Sequence, residues 1–278
     1  MTLQPVSKIN YHVNQLEISN EIYVLAKRLY TQAKRRPSLL ISGIMQPLLW
    51  LILFGSLFQN APIGFFVSNL KYNTFLSPGI IVFTSFSGAI NAGLPMMFDR
   101  EFGFLNRILV SPIISRDSLI LSSIIFITSV TIIQALSIVL FSLLYYEHTI
   151  YLLNLTIILL IITLITLSIA SISICLGFIL PGHIEFLAII FIINLPTLFS
   201  STALAPLSFM PSWLQIIASL NPLTYAIESI RYIYIPDKIY NIHTIWINLK
   251  LFDNLIVLGI FCLVCFNIAK KLISYKSY

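Results

Sequence analysis

The sequence predicts an all-α integral membrane protein with six transmembrane helices, an amino-terminal amphipathic interface helix, a short cytoplasmic helix between the second and third spans, and an outer re-entrant helical hairpin. Three observations lead there. Hydrophobic residues make up 58% of the chain and charged residues only 9%, against the roughly 25% charged share of a soluble domain. Six apolar runs reach the about 20 residues that a helix rising about 1.5 Å per residue needs to cross about 30 Å of hydrocarbon. The Lys and Arg residues fall unevenly between those runs. A mean hydropathy of +0.94 agrees with all three.

Residues 1–37 are polar and basic. They lack the apolar core and small-residue cleavage site of a secretory signal, so the amino terminus is expected to stay on the side of synthesis. Within this segment Gln15–Pro37 reads as an amphipathic helix. Ile18, Ile22, Leu25 and Leu29 form its stripe, and Lys27, Arg28, Lys34, Arg35 and Arg36 lie elsewhere. Such a helix is expected in the interface, with its cations toward anionic lipid headgroups.

The membrane domain, residues 38–278, then holds spans at about Ser38–Phe58, Phe75–Met97, Ser118–Tyr145, Ile150–Leu180, Ile184–Ala205 and Leu251–Ala269. Pro78, Pro95, Pro181 and Pro206 fall at or near span ends, where a missing N–H does least harm; Pro47 and Pro196 lie inside and predict kinks. Twelve of the sixteen Lys and Arg residues lie in the amino-terminal segment, the loops after spans 2 and 4, and the tail, and four lie on the opposite side. Positive residues near span ends stay cytoplasmic, so both termini are expected on the cytoplasmic side or its topological equivalent.

Two short elements do not span. Phe98, Phe102, Leu105 and Leu109 recur at steps of four, three and four, so about 98–112 is expected to be one cytoplasmic helix with a greasy face, ended by Pro112. Its charges, Asp99, Arg100, Glu101 and Arg107, lie away from that stripe and read either as topology signals or as a docking surface. Residues 206–235 are too apolar for solvent and too broken by proline to cross. Asn221 as N-cap and Pro222 in the first turn predict a short helix from Pro222 to about Ile235, stopped by Pro236. Its apolar stripe is Leu223, Ile227, Ile230 and Tyr234, and Glu228 and Arg231 at i, i+3 read as a surface pair or as charge at an outer mouth.

Several function classes drop out. No G-x-x-x-x-G-K-[ST], H-E-x-x-H or G-x-S-x-G run occurs, so the chain is expected neither to hydrolyse nucleotide nor to act as an enzyme. Cys262-x-x-Cys265 lacks a second pair, and His183-Ile184-Glu185 is an incomplete ligand set, so no metal is expected. The net charge of +6 has no folded basic face to bind nucleic acid. Span middles carry hydroxyls and amides rather than ionisable groups. Thr84, Ser87, Asn91, Asn194, Thr197 and Ser201 are the candidate lining of an amphiphile's path, or hydrogen-bonding glue between helices. Abundant Phe and Tyr beside only ten Gly suggest AT-rich codons, as in an organelle genome.

Three motifs then coincide in order. The run Asp99, Arg100, Glu101, Gly103, Arg107, Leu109, Ser111, Pro112 resembles the loop between the second and third spans of ABC-2 type transporter permeases. Leu195-Pro196, Pro206, Pro211, Trp213, Asn221, Pro222, Tyr225, Glu228 and Arg231 look like that family's fifth span and outer re-entrant hairpin, and the six-span plan covers nearly the whole chain. The likeness is greatest to drug-resistance and nodulation-type exporter permeases and to a plastid-encoded member. One departure is Ser201-Thr202-Ala203-Leu204-Ala205-Pro206, where many relatives carry Ser-Gly before the proline.

The resemblance implies a type V exporter-like half-transporter. It would pair with a copy or a second permease, be surrounded by membrane lipid, and be driven by separate ATP-binding subunits that hold ATP and Mg while this chain binds no cofactor. Asp99, Arg100, Glu101, Gly103, Arg107 and Pro112 would couple it to the ATPase. Pro211, Trp213, Asn221, Pro222, Tyr225, Glu228 and Arg231 would shape the outer exit. The cargo would be lipid-like, drug-like or a glycan, and the location a plastid membrane or otherwise a bacterial inner membrane. The alternative is a secondary transporter or channel without an ATPase.

Overall fold

The computed structural model describes residues 15–58, 72–104, 117–146, 152–234 and 251–275. Among these residues every regular element is a helix. They are α1 (Gln15–Arg35), α2 (Pro37–Leu57), α3 (Tyr72–Ile90), α4 (Leu94–Glu101), α5 (Asp117–Tyr146), α6 (Leu152–Ile179), α7 (His183–Phe199), α8 (Ser212–Leu220), α9 (Pro222–Tyr234) and α10 (Leu251–Tyr275). Backbone N–H and C=O groups cannot go unpaired in hydrocarbon, and a helix satisfies them within itself.

Among the described residues five stretches are long and apolar enough to cross a membrane: Leu40–Leu57, Tyr72–Glu101, Ser118–Tyr145, Leu152–Ile179 and Leu251–Leu272. The expected fifth span, 184–205, differs. Its helix is the 17-residue α7, which ends at Phe199 and gives way to a turn at Ser200–Ser201. Seventeen residues reach about 25 Å, short of the about 30 Å of a typical hydrocarbon core. Pro196 within α7 does not stop the helix; the chain leaves it one turn later.

The bundle is built around α3 and α6, which are buried along most of their length and pack on each other. Around this pair, α2 and α5 flank α3, α10 lies along α6, and α9 wedges among α3, α6 and α10. The outer faces of α2 and α10 carry exposed Leu53, Leu57, Phe252 and Leu263. A face of this size would be a liability in water and is ordinary where the solvent is lipid. Hydroxyls in the middles mostly bond one turn back along their own helix, as Thr84 does to Ile80 O, Thr166 to Ile162 O and Ser168 to Leu164 O.

The stripe expected on α1 is its inward face. Ala26 and Leu29 are buried, and the helix docks along α5. Tyr30 donates to Ser129 Oγ at 2.5 Å and meets Phe126 edge-on, while Ser118 donates to Glu21. Only Arg36 separates α1 from α2.

Between α3 and α4 a 3-10 turn, Asn91–Gly93, interrupts one long helix just before Pro95. Pro95 has no N–H to donate back to Asn91 O, so the ladder is already broken there. Ser173 of α6 repairs the gap: its Oγ donates to Ile90 O at 2.5 Å and accepts from Gly93 N at 2.9 Å. A Cβ at Gly93 would lie 2.3 Å from Ser173 O, so only glycine allows this approach.

Candidate functional site

The helix expected over 98–112 is not continuous. Glu101 is the last residue of α4, and Gly103 has φ +70, a left-handed conformation that a glycine adopts freely and that commonly ends helices. Phe98 and Phe102 do stack one turn apart, at 6.0 Å. Leu105, Arg107, Leu109 and Pro112 lie outside the described residues.

The triplet before the break is densely connected among the described residues. Its three consecutive side chains reach three different helices. Asp99 accepts from Arg28 of α1, whose Nη2 stands 2.6 Å from both carboxylate oxygens and whose guanidinium also lies 4.1 Å over the Phe104 ring. Arg100 turns to the C-terminus of α6, donating to Phe178 O at 3.0 Å, to Pro181 O at 2.8 Å and to Leu180 O. Glu101 turns to the N-terminus of α7, accepting from His183 N and His183 Nδ1, both at 2.6 Å.

Helix ends explain this division. The last carbonyls of α6 and the first N–H groups of α7 have no intrahelical partners, and the helix dipoles favour a cation at the first and an anion at the second. Arg100 and Glu101 supply them from one turn of α4. The backbone N–H and ring of His183 meet the two oxygens of the Glu101 carboxyl. Each tie is modest: a cation at a helix C-terminus is worth about 0.3–1 kcal/mol, and a part-exposed pair such as Arg28–Asp99 about 0–1 kcal/mol. The clamp therefore orients α1, α4, α6 and α7 more than it stabilises them.

The charges expected on an outward face thus find partners inside the chain. Sequence reading missed Arg28 and His183 because it weighed one as a topology signal and the other as a metal ligand. Among the described residues no group of three metal-ligating side chains occurs. The signal that finds His183 is its position just after Pro181-Gly182, where a helix starts and needs a cap.

At the opposite end, α8 and α9 follow each other as a helical hairpin in which Pro222 is the first residue of α9. Asn221 Oδ1 accepts from Leu223 N at 3.0 Å, capping α9, and its Nδ2 donates to Thr197 O and Ser200 O, tying the hairpin to the end of α7. Tyr225 OH donates to Ser219 O at 2.7 Å. The residue that begins the α8 turn, Pro211, and Trp213 are exposed.

The Glu228–Arg231 pair departs from expectation. It is internal: the Arg231 side chain is 0% exposed and that of Glu228 7%. Arg231 Nη1 donates to Glu228 at 2.5 Å, its Nη2 donates to Thr202 O at 2.7 Å and Phe75 O at 3.2 Å, and its guanidinium lies 3.7 Å over the Phe75 ring. The pair is buried because α9 packs among three helices, so its second face has no solvent to meet. Arg231 therefore fastens the hairpin to the start of α3 and to the turn after α7.

The six candidate path residues do not gather. Thr197 lines a cavity of about 220 Å³ between α6 and α7; Thr84 is buried and bonded to its own helix, Ser201 is buried in the turn after α7 and donates to Leu198 O, and Asn91 Nδ2 donates to Ser87 O. Asn194 lies half-buried on α7.

A helical membrane bundle with a charged clamp at one end and a locked hairpin at the other matches the ABC-2 type transporter family model over residues 20–235, and the chain belongs to that family. Its curated relatives bear the name transport permease ycf38. The Porphyra purpurea protein is 57% identical over 233 residues, 84% of this chain and 80% of its own length. That of Pyropia yezoensis is 55% identical over 235 residues, with the same coverage. That of Cyanophora paradoxa is 51% identical over 262 residues, 91% of this chain and 89% of its own.

Proposed function

We propose that this chain is the membrane-spanning permease subunit of an ATP-driven exporter, a half-transporter that pairs with a copy or a second permease and takes its energy from a separate ATP-binding subunit. The clamp carries the reading. Because Asp99, Arg100 and Glu101 tie the residues before Gly103 to α1, α6 and α7 at once, a push on the loop beginning there is felt by four helices together. A chain without a phosphate loop of its own has use for such a linkage.

In this reading the charged triplet transmits force, and Gly103, Arg107 and Pro112 shape the surface that meets the ATPase. ATP and Mg are held by that partner. The hairpin from Pro211 to Arg231 governs the outer exit, α7 with the turn after it serves as the sixth crossing segment, and both termini face the cytoplasm or stroma. The cargo is lipid-like, drug-like or a glycan. An amino-acid composition that suggests AT-rich codons and the relatives above support a plastid membrane.

Purification in mild detergent tests the reading: a phosphate-loop ATPase is expected to co-purify in fixed ratio. Gly103→Trp is expected to leave the chain folded and abolish stimulation of that ATPase. A chain that transports in vesicles on an ion gradient, with no nucleotide hydrolysed, would overturn it.

A further inference from the structure

Helices α6 and α7 are joined by the short turn at 180–182, yet α7 packs on α3 and α4. The wedge between them holds the cavity of about 220 Å³. Its floor is Phe86, Ile90 and Ile169, at 3%, 5% and 8% exposure, and Ile172 and Ile193, at 38% and 37%, stand at its mouth. Asn221, Pro222 and Leu223 of the hairpin close one end.

The polar groups that line it are already engaged. Ser173 Oγ bridges Ile90 O and Gly93 N, Thr197 Oγ1 donates to Ile193 O, and the Asn221 amide is bonded to Thr197 O, Ser200 O and Leu223 N. Nothing in that lining asks for an ion or a headgroup. An apolar cavity of about 150 Å³ stays dry and accepts benzene or xenon, and this one is larger and opens between side chains that face hydrocarbon.

We infer that the α6–α7 wedge is a binding site for one hydrocarbon chain, entering laterally between Ile172 and Ile193. Dispersion contacts with the walls hold it, since a chain coming from lipid gains no hydrophobic drive on entering. Two of its lining residues, Ile90 and Ser173, also hold the break between α3 and α4, so the chain sits against the joint that leads to the clamp. The site does not require the ATPase, and its failure would leave the transport reading standing.

The test uses the purified full chain, stripped of lipid and returned to phosphatidylcholine vesicles, with palmitic acid carrying a mid-chain diazirine as probe. Photolabelling is expected to saturate, to be displaced by unlabelled palmitate, and to map to residues 169–176 and 193–197. Ile172→Trp, which plugs the mouth, is expected to lower the yield about tenfold, equivalent to about 1.4 kcal/mol. Ile193→Phe does the same from the other lip should the first variant fail to fold. Ile260→Trp, on the exposed face of α10, leaves labelling unchanged. Running the same diazirine within a phosphatidylcholine acyl chain separates sources: labelling by the phospholipid alone marks a lipid tail, labelling by the free acid alone marks a single-chain amphiphile, and either supports the site. Unsaturable labelling spread over the outer faces, or wild-type yields in both plugged variants, overturns it.

Discussion

Arg231→Ala separates a buried lock from a surface ion pair. The wild-type guanidinium is fully enclosed and satisfies Glu228, Thr202 O and Phe75 O while lying over the Phe75 ring. Removing one member of a buried pair leaves the other charge in a medium that cannot solvate it, at about 3–5 kcal/mol. An exposed i, i+3 pair would lose only about 0–1 kcal/mol. The two cases differ by more than the error of a detergent–denaturant titration. Unfolding should be followed in micelles of fixed composition for wild type, Arg231→Ala, Glu228→Leu and the double variant Glu228→Leu/Arg231→Met. The double variant is expected to recover most of the loss, because no lone charge remains. It should stay below wild type, because Thr202 O and Phe75 O lose a donor, at about 1–3 kcal/mol for an unmet buried group. A cost under about 1 kcal/mol for Arg231→Ala, or no coupling between the two positions in the cycle, would refute the lock.

The other expectations concern the clamp and the joint. Gly93→Ala places a Cβ 2.3 Å from Ser173 O, a backbone atom that cannot step aside; the helices must part, and a loss of about 1–3 kcal/mol is expected in the same titration. A Cβ at Gly103 meets no neighbour among the described residues, so the cost expected for Gly103→Val is conformational, about 1–2 kcal/mol at a left-handed φ, with Gly103→Asn milder; equal stability of all three forms would argue against the turn.

Much of the architecture was legible because it depends on local composition. Ends expected at Ser118 and Tyr145 for the third span lie within one residue of those of α5, and Pro222 starts α9 as its N-cap predicts. Apolar length and capping chemistry act over a few residues, so they can be read in order along the chain. The candidate site was less legible. Asp99, Arg100 and Glu101 were recognisable as unusual, but their partners stand 71 to 82 residues away, on helices whose approach no local pattern encodes. The stop at Gly103 was hidden because the hydrophobic period continues through it, while a single left-handed glycine is enough to end the helix.

What the sequence alone determined is the kind of molecule: a bundle of helices sized for a membrane, since hydrocarbon demands apolar surface and self-satisfied backbone wherever the chain crosses. What only the tertiary structure decided is where the few charges go. Arg231 and Glu228 look like solvent-facing neighbours on one helix until α9 is packed among α3, α6 and α10. Asp99, Arg100 and Glu101 look like an outward face until the ends of α6 and α7 and the side of α1 arrive beside them. A charge in a largely apolar chain takes whatever partner burial leaves within reach, and burial is a property of the assembled bundle.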